Sequence, residues 1–306
     1  MNIVSLLPSA TEIICSLGLR DSLVGVSHSC DFPADVVGLP VLTSTTIPST
    51  ASSEEIDRHV RTELTTQDAL YTLDVEALQR LEPDVIVAQT LCDVCAVSSG
   101  DVLSAIARLP TRPALVELEP TGLNDLFSDI RRVGATTQTD DQADAVVADL
   151  TARLDAVRQR SDRIPDDQRP RVLFLEWLDP PFNGGHWNPE IVALAGGIDC
   201  LGTPGVPART LDWTEVLGSS PDLVFIACCG FDVARTKVDL ERLARIPHWT
   251  EFPAVRSGQL YFVDGDAFFS RPGPRLIDAL EAMAHCLHPE YHPLCDLCPV
   301  HRFDTC

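Results

Sequence analysis

Short runs of β-branched and aliphatic residues alternate along this chain with longer stretches in which apolar residues recur at helical spacing. Strands that are covered on both faces by helices read as continuous apolar runs, so this alternation predicts an α/β fold with parallel sheets. The predicted strands are 3–7, 23–27, 85–89, 114–118, 172–176, 223–227 and 260–263.

The two halves of the chain open and continue in the same order. The strand IVSLL leads to the helical segment TEIICSLG, and the strand VLFLEW leads through a longer loop to PEIVALAGG. Further along, LQRLEPDVIVAQ is matched by VLGSSPDLVFIA, each with a helix end, a Pro-Asp turn and a buried strand. This internal similarity predicts a duplicated architecture of two lobes.

A long helical segment separates the two halves. Residues 122–164 contain no proline and carry apolar residues at helical spacing, with a possible break near 134–140, before Pro165 and Pro170 end the helix. The predicted organisation is an N-terminal lobe at 1–119, a bridging segment at 120–166, a C-terminal lobe at 167–288 and a Cys- and His-rich tail at 289–306.

Composition and charge narrow the function classes. The 306 residues include 23 Lys and Arg against 45 Asp and Glu, a net charge of −22 that repels nucleic acids and anionic membranes. Lys237 is the only lysine, and an acid-rich surface with so little lysine is typical of a protein from a salt-rich cytosol. The first strand begins almost at Met1, without the pattern of a signal peptide. We therefore expect a cytoplasmic protein, with an extracytoplasmic protein that has lost its leader as the alternative.

Ligands of open parallel sheets bind beyond the carboxyl ends of the strands, and the loops at these positions carry unusual residues. After the first strand, Pro8 and Ser9 open a helix, where Ser9 or Thr11 is expected to cap the helix and leave its amides facing a ligand. The alternative is a helix cap with no further role.

The loops of the C-terminal lobe concentrate aromatic residues in a chain that is only 6% aromatic. This concentration predicts a broad apolar wall for a large, flat ligand, with Arg271 reaching a polar edge of that ligand. The residues predicted to form the wall are Trp177, Trp187, Phe231 and Phe269.

Cysteine and histidine also recur at loop positions. The chain has 11 cysteines, clustered as CDVC, CC and CDLC, which suits reduced thiols or metal ligands better than a disulfide framework. Cysteines that only pack the loops are the alternative, because a lone CxxC is a weak signal. The candidate ligand-binding residues of this kind are His28, Cys30, Cys92, Cys95, His186 and Cys229.

The tail holds four soft ligands within a short span, at Cys295, Cys298, His301 and Cys306. Such spacing is able to close a tetrahedral zinc site, with a disordered, metal-free tail as the alternative. Elsewhere the chain has no GxSxG, Walker loop, GxGxxG behind a strand or HExxH. We therefore predict no catalytic residues and a binding protein, and keep a thiol-dependent enzyme as the alternative.

Six segments spread over residues 1–288 resemble the solute-binding proteins of cobalamin and ferric-siderophore ABC importers, most closely their cobalamin-binding branch. The resemblance implies two Rossmann-like lobes joined by one rigid helix, and a cleft that takes cobalamin or a related corrinoid. Haem, a siderophore or another metal chelate is the alternative ligand. The segments are IVSLLPSATEIICSLGL, VGVSHSCDFP, LEPDVIVAQTLCDVCAV, LEWLDPPFNGGHWNPEIVALAGG, SPDLVFIACCGFD and FFSRPGPRLIDALEAMAH.

The resemblance also implies a possible protein partner, the membrane permease of an importer. In importer-linked relatives, one acidic residue on each lobe docks onto the membrane permease, and the first position falls at Glu76. The second position reads Thr214, with Glu215 beside it. A displacement of one residue rotates a side chain by about 100° around a helix, so Glu215 points away from the docking line. We therefore expect a monomeric soluble carrier of a small molecule rather than a permease-linked subunit.

Overall fold

The computed structural model describes residues 1–48, 51–66, 70–89 and 97–303 of the chain. The chain divides into two compact units. Unit 1 comprises residues 1–51, 55–120 and 124–149, and unit 2 comprises residues 52–54, 121–123 and 150–306. No described helix has the length and apolar character needed to cross a membrane.

The first half of the chain contains six strands and six helices in the described residues. The strands are β1 (Ile3–Ser5), β2 (Leu23–Gly25), β3 (Thr43–Thr45), β4 (Tyr71–Leu73), β5 (Val85–Gln89) and β6 (Ala114–Leu118). The helices are α1 (Pro8–Ser16), α2 (Ser53–Thr66), α3 (Val75–Leu81), α4 (Ser99–Ile106), α5 (Leu123–Thr137) and α6 (Asp140–Ser161).

The sheet of unit 1 is parallel, with strand order β2-β1-β5-β6. All five residues of β5 are buried, as an apolar strand between two neighbours requires. Local side chains start the flanking helices. The Asp74 carboxylate accepts the Ala77 N–H at 2.8 Å and so caps α3, and the Ser98 hydroxyl caps α4 in the same way.

The second half contains six further strands and five helices in the described residues. The strands are β7 (Arg171–Leu178), β8 (Pro181–Asn183), β9 (Ile198–Asp199), β10 (Leu223–Ile226), β11 (Leu260–Phe262) and β12 (His301–Arg302). The helices are α7 (Asn188–Leu194), α8 (Trp213–Gly218), α9 (Val233–Leu243), α10 (Pro253–Arg256) and α11 (Leu276–Leu287).

The parallel part of the second sheet repeats the order of the first. The strands β9-β7-β10-β11 follow one another as β2-β1-β5-β6 do in unit 1, and β8 and β12 add antiparallel pairs to β7 and β11. The predicted α/β class and the duplication are therefore confirmed. All seven predicted strands are present, and β3, β4, β8, β9 and β12 are additional short strands that were not predicted.

The two Pro-Asp turns, one in each unit, form the same pair of hydrogen bonds. In unit 1, the Asp84 carboxylate accepts the Asn2 N–H at 2.7 Å, and the Asp84 N–H donates to the Asn2 carbonyl at 2.8 Å. In unit 2, Asp222 makes the same two bonds with Arg171, both at 2.8 Å. Each turn therefore ties the start of its strand to the start of the neighbouring inner strand and fixes their register.

The long helical segment is two helices rather than one. The structure breaks it between α5 and α6, at Gln138, whose φ is 61°. This position lies inside the interval predicted for the break. The division between the two units falls within α6.

Asp129 on α5 is a buried acid with an incomplete set of partners. Its Oδ1 lies 2.9 Å from Arg132 Nη1, while its Oδ2 finds no hydrogen-bond partner within the described residues. Burial raises the pKa of this carboxyl from 3.8 to about 6, against the opposing effect of Arg132. The folded protein therefore holds a proton on Asp129 at pH values where the unfolded chain has released it.

The Asp129→Asn variant tests this titration. The native carboxyl binds its proton more tightly than the unfolded one, so wild-type stability falls as pH rises from about 4 to about 6 and stays low above it. The asparagine side chain does not titrate, so we expect the variant to gain on the order of 2 kcal/mol over wild type at pH 7.5 and nothing at pH 4. Urea unfolding across this pH range measures the difference. The exposed Asp149→Asn on α6 is the control, and a pH-independent difference for Asp129→Asn would contradict the assignment.

Candidate functional site

The loop after β1 positions Pro8 and Ser9 at the start of α1. Leu7 occupies the cap position and no side chain caps the helix, so the expectation that Ser9 or Thr11 caps α1 is wrong. Pro8 starts the helix because it has no N–H to satisfy. Ser9 is buried, with 2% of its surface exposed.

Thr11 belongs instead to a buried cluster of hydroxyl and thiol groups in unit 1. Its hydroxyl lies 2.8 Å from Ser5 Oγ and 3.0 Å from Cys30 Sγ, and Ser27 Oγ lies 3.1 Å from the same sulfur. Because these bonds use the thiol locally, the structure places Cys30 as a packed and hydrogen-bonded residue beside the end of β1.

His28 follows β2 and is tied to the small antiparallel sheet of β3 and β4. Its Nδ1 lies 2.7 Å from Thr43 Oγ1, and its ring is 5.7 Å from that of Tyr71. Desolvation lowers the pKa of His28, which keeps the imidazole neutral at pH 7. The two remaining predicted residues of this unit, Cys92 and Cys95, lie outside the described residues.

In unit 2, a carboxylate at the end of β7 organises three neighbouring segments. Glu176 Oε2 accepts the Gly185 N–H at 2.9 Å and Asn188 Nδ2 at 3.3 Å. The carbonyl of the same residue accepts the Cys229 N–H at 2.9 Å. One residue thus fixes the start of α7 and the loop after β10 at the same edge of the sheet.

The Gly184-Gly185-His186 segment packs tightly against its own chain. A Cβ on Gly185 would lie 2.3 Å from the Ala208 backbone nitrogen, and one on Gly184 would lie 2.7 Å from the Phe174 ring. The structure shows that the close approach is to the interior and to the 205–208 loop.

An aromatic stack with a cation on it lies at the ends of β7 and β10. The Trp177 and Phe231 rings are 4.8 Å apart, and the Arg235 guanidinium lies 4.3 Å from the centre of the Phe231 ring. Trp177 is half-buried, and its Nε1 donates to the Asp179 carbonyl at 3.1 Å. The stack therefore offers part of an indole surface beside the Arg235 guanidinium, which is itself paired with Asp239 at 3.3 Å.

Two further residues predicted for the wall, and the predicted polar contact Arg271, lie further inside unit 2. Phe269 is fully buried between Phe174 and Phe225, and Trp187 is 7% exposed with its Nε1 bonded to the Phe269 carbonyl at 2.8 Å. Arg271 is 4% exposed and pairs with Asp266 at 2.5 Å. The expectations of a ligand-facing Phe269 and of Arg271 reaching a ligand are corrected, since both side chains are used within unit 2.

The adjacent cysteines after β10 differ in environment. Cys228 is buried, and desolvation raises the pKa of its thiol far above the ordinary value, which disfavours the reactive thiolate. Cys229 is exposed. Only Cys229 of this pair is therefore open to solvent.

The zinc site predicted for the tail is not formed by the described residues, which contain no group of three His, Cys, Asp or Glu side chains placed to hold a metal. His301 lies in β12, and its ring packs 5.4 Å from that of Phe262, because strand pairing draws it to β11. Cys298 is 1% exposed, and burial raises the pKa of both Cys295 and Cys298. The fourth predicted ligand, Cys306, lies outside the described residues.

Sequence reasoning missed the polar residues that hold the site together. Asn188 and Arg235 gave no signal of their own, although Arg235 stands four residues after Phe231, a spacing that places both on one side of a helix start. The bond that Gly185 donates to Glu176 depends on the turn between them, which residue spacing does not specify.

The two Rossmann-like sheets and their loops correspond to a known family. A family model described as periplasmic binding protein matches residues 3–267. The chain belongs to the periplasmic binding protein family. Its resemblance to solute-binding proteins of the cobalamin and siderophore type is thereby confirmed, and this family is defined by binding a solute.

The similarity to individual periplasmic binding proteins extends along nearly the whole chain. The vitamin B12-binding protein of Vibrio cholerae serotype O1 is 23% identical over 283 residues, which covers 91% of this chain and 86% of that protein. The crystal structure of periplasmic vitamin B12 binding protein BtuF of Vibrio cholerae matches with a TM-score of 0.67 and 22% identity, covering 94% of this chain and 96% of that one. The periplasmic heme-binding protein RhuT from Roseiflexus sp. RS-1 matches with a TM-score of 0.71 and 22% identity, covering 94% and 98%.

The crowding at Gly185 gives a direct test of the loop geometry. A Gly185→Ala change forces a methyl group against the Ala208 backbone, so we expect a loss of about 2–4 kcal/mol in the free energy of unfolding. Urea unfolding measures this loss. Gly218→Ala is the matched control, because a Cβ there meets nothing within 4 Å, and equal effects of the two changes would contradict the packing described.

Proposed function

We propose that this periplasmic binding protein is a carrier for cobalamin or a related corrinoid. The support is the family membership together with the similarity to the vitamin B12-binding protein of Vibrio cholerae, which extends over 91% of the chain. The loops at the carboxyl ends of the parallel strands are the place where an open α/β sheet accepts such a ligand.

The observation that carries the proposal is the stack of Trp177, Phe231 and Arg235. A half-buried indole presents an apolar face of the kind that a flat macrocycle covers. Glu176 holds the loops on either side of this stack in place, so the surface is formed before the ligand arrives.

Haem is the second candidate, because a heme-binding protein of similar fold covers as much of the chain as the vitamin B12-binding structure does. Charge favours the corrinoid. A haem carries two carboxylates and ferric siderophores are often anionic, whereas the edge of a corrin ring carries uncharged amides. The net charge of −22 repels anions at long range and has little effect on a ligand without net negative charge.

Calorimetric titration with cyanocobalamin, cobinamide, haemin and a ferric siderophore tests the proposal. We expect one site and the tightest binding for a corrinoid. Trp177→Ala removes the indole face and should weaken that binding by about tenfold or more, with Trp177→Phe recovering most of it. Tyr291→Ala is the matched control, because this half-buried aromatic packs on His288 in the segment after α11. Heat with haemin alone, or equal effects of the two alanine variants, would overturn the assignment.

We further propose that the carrier acts without docking onto an importer permease. Glu76 is the second residue of α3, and the second residue of α8 is Thr214, so the two helices present different side chains at equivalent positions. Glu215 is instead used within unit 2, where the Arg209 guanidinium bonds both of its carboxylate oxygens, one at 3.0 Å. This pair holds the pKa of Glu215 below its ordinary value.

Reconstitution with a cobalamin permease at low salt checks the partner. We expect no stable complex with the permease. Charges at the rim of an interface speed the encounter only when both lobes dock, so we also expect Glu76→Ala and Glu215→Ala to leave any weak binding unchanged. Glu241→Ala, an exposed change on α9, is the control. A complex that weakens specifically on the first two changes would restore the importer role.

A further inference from the structure

His186 holds an unusual backbone conformation at the start of α7. Its φ is 52°, in the left-handed region that costs a residue with a side chain about 1 kcal/mol or more. The backbone is clamped on both sides by one loop, since the His186 N–H donates to the Val206 carbonyl at 2.7 Å and the His186 carbonyl accepts the Gly205 N–H at 2.9 Å. The chain thus maintains a strained residue in one orientation.

No polar contact of the His186 imidazole within the described residues explains this orientation. Neither ring nitrogen has a hydrogen-bond partner among the described residues, while its ring lies against that of Trp187 at 5.6 Å and 28°. The histidines of the described chain whose rings do have a polar partner are His28, His59, His248, His285, His288 and His292. His301 differs again, because its ring packs on Phe262 in an edge strand.

A second histidine, His248, shows that a positive φ does not by itself leave the imidazole without a hydrogen-bond partner. His248 also has a positive φ, 65°, but it is exposed before a short helical turn, and its Nδ1 lies 3.2 Å from a carboxylate oxygen of Glu251. His248 follows the end of α9, at the amino-terminal edge of the sheet. His186 lies at the opposite edge, beyond β7, where the aromatic stack is.

Desolvation lowers the pKa of His186, so its imidazole is a neutral base at pH 7 with a lone pair available on one ring nitrogen. Contact with the Trp187 ring restricts the plane of the imidazole, and the bond from Glu176 to the Gly185 N–H fixes the residue before it. A neutral, oriented and unpartnered imidazole is a ligand for cobalt or iron.

We propose that His186 coordinates the central metal of the bound macrocycle through an exchangeable axial position. The inference rests on the proposed function and deepens it, because it selects metal-centred ligands that carry a displaceable axial group, such as water. In the binding step the water leaves the metal and the imidazole lone pair forms the new bond. The oxidation state of the metal does not change.

Spectroscopy with two cobalamins separates coordination from binding. Aquocobalamin carries an exchangeable axial water and cyanocobalamin carries a firmly held cyanide. We expect the wild-type protein to shift the visible bands of aquocobalamin and leave those of cyanocobalamin unchanged. His186→Asn, which tolerates a positive φ, should abolish the shift and weaken aquocobalamin binding about tenfold or more, with cyanocobalamin binding within about twofold of wild type. His248→Asn is the matched control and should keep the shift.

The other outcomes of these measurements distinguish the corrinoid carrier from the metal coordination by His186. Binding of aquocobalamin by the wild type without a band shift, or a shift that survives in His186→Asn, overturns the role of His186 and leaves the corrinoid carrier in place. If no corrinoid binds but haemin gives a spectrum of imidazole-bound iron that His186→Asn removes, the corrinoid assignment falls and the role of His186 stands. If neither macrocycle binds, both proposals fall.

Discussion

Two reciprocal hydrogen-bond pairs at the Pro-Asp turns set the register on which each sheet depends. Asp84 holds Asn2, and Asp222 holds Arg171, at the amino-terminal ends of the inner strands. Because parallel strands in register end together, fixing them at one end also aligns the loops at the other end. The same short turn, used once in each unit, therefore positions the loops in which ligands of such sheets bind.

A second constraint acts at the loop end of unit 2. Glu176 is half-buried, its Oε2 accepts two donors and its backbone carbonyl accepts a third, so replacing the carboxylate would release the bonds from Gly185 and Asn188 together. The strained backbone of His186 and the close packing of Gly185 lie directly beside it. Rigid surroundings of this kind keep a binding surface formed in the absence of its ligand.

The aromatic residues of unit 2 illustrate how far patterns along the chain describe a site. Their concentration in loops after strands correctly marked one edge of the sheet. It did not distinguish Trp177, which is half-buried, from Phe269, which fills the space between Phe174 and Phe225. Trp177 lies within β7 near its end, whereas Phe269 follows β11 by seven residues and packs into the core, so closeness to a strand end does not separate a surface ring from a core ring.

Apolar periodicity and the Pro-Asp turns are local signals, so the sequence alone was enough to predict the α/β class, the duplication and the seven core strands of the two sheets. Tertiary structure decided the use of the polar residues. Thr11 bonds Cys30 rather than capping α1, Arg271 pairs with Asp266, and His301 pairs with β11 in an edge strand. These partners lie on other elements or depend on the course of a loop, and spacing along a chain carries no information about which element is close in space.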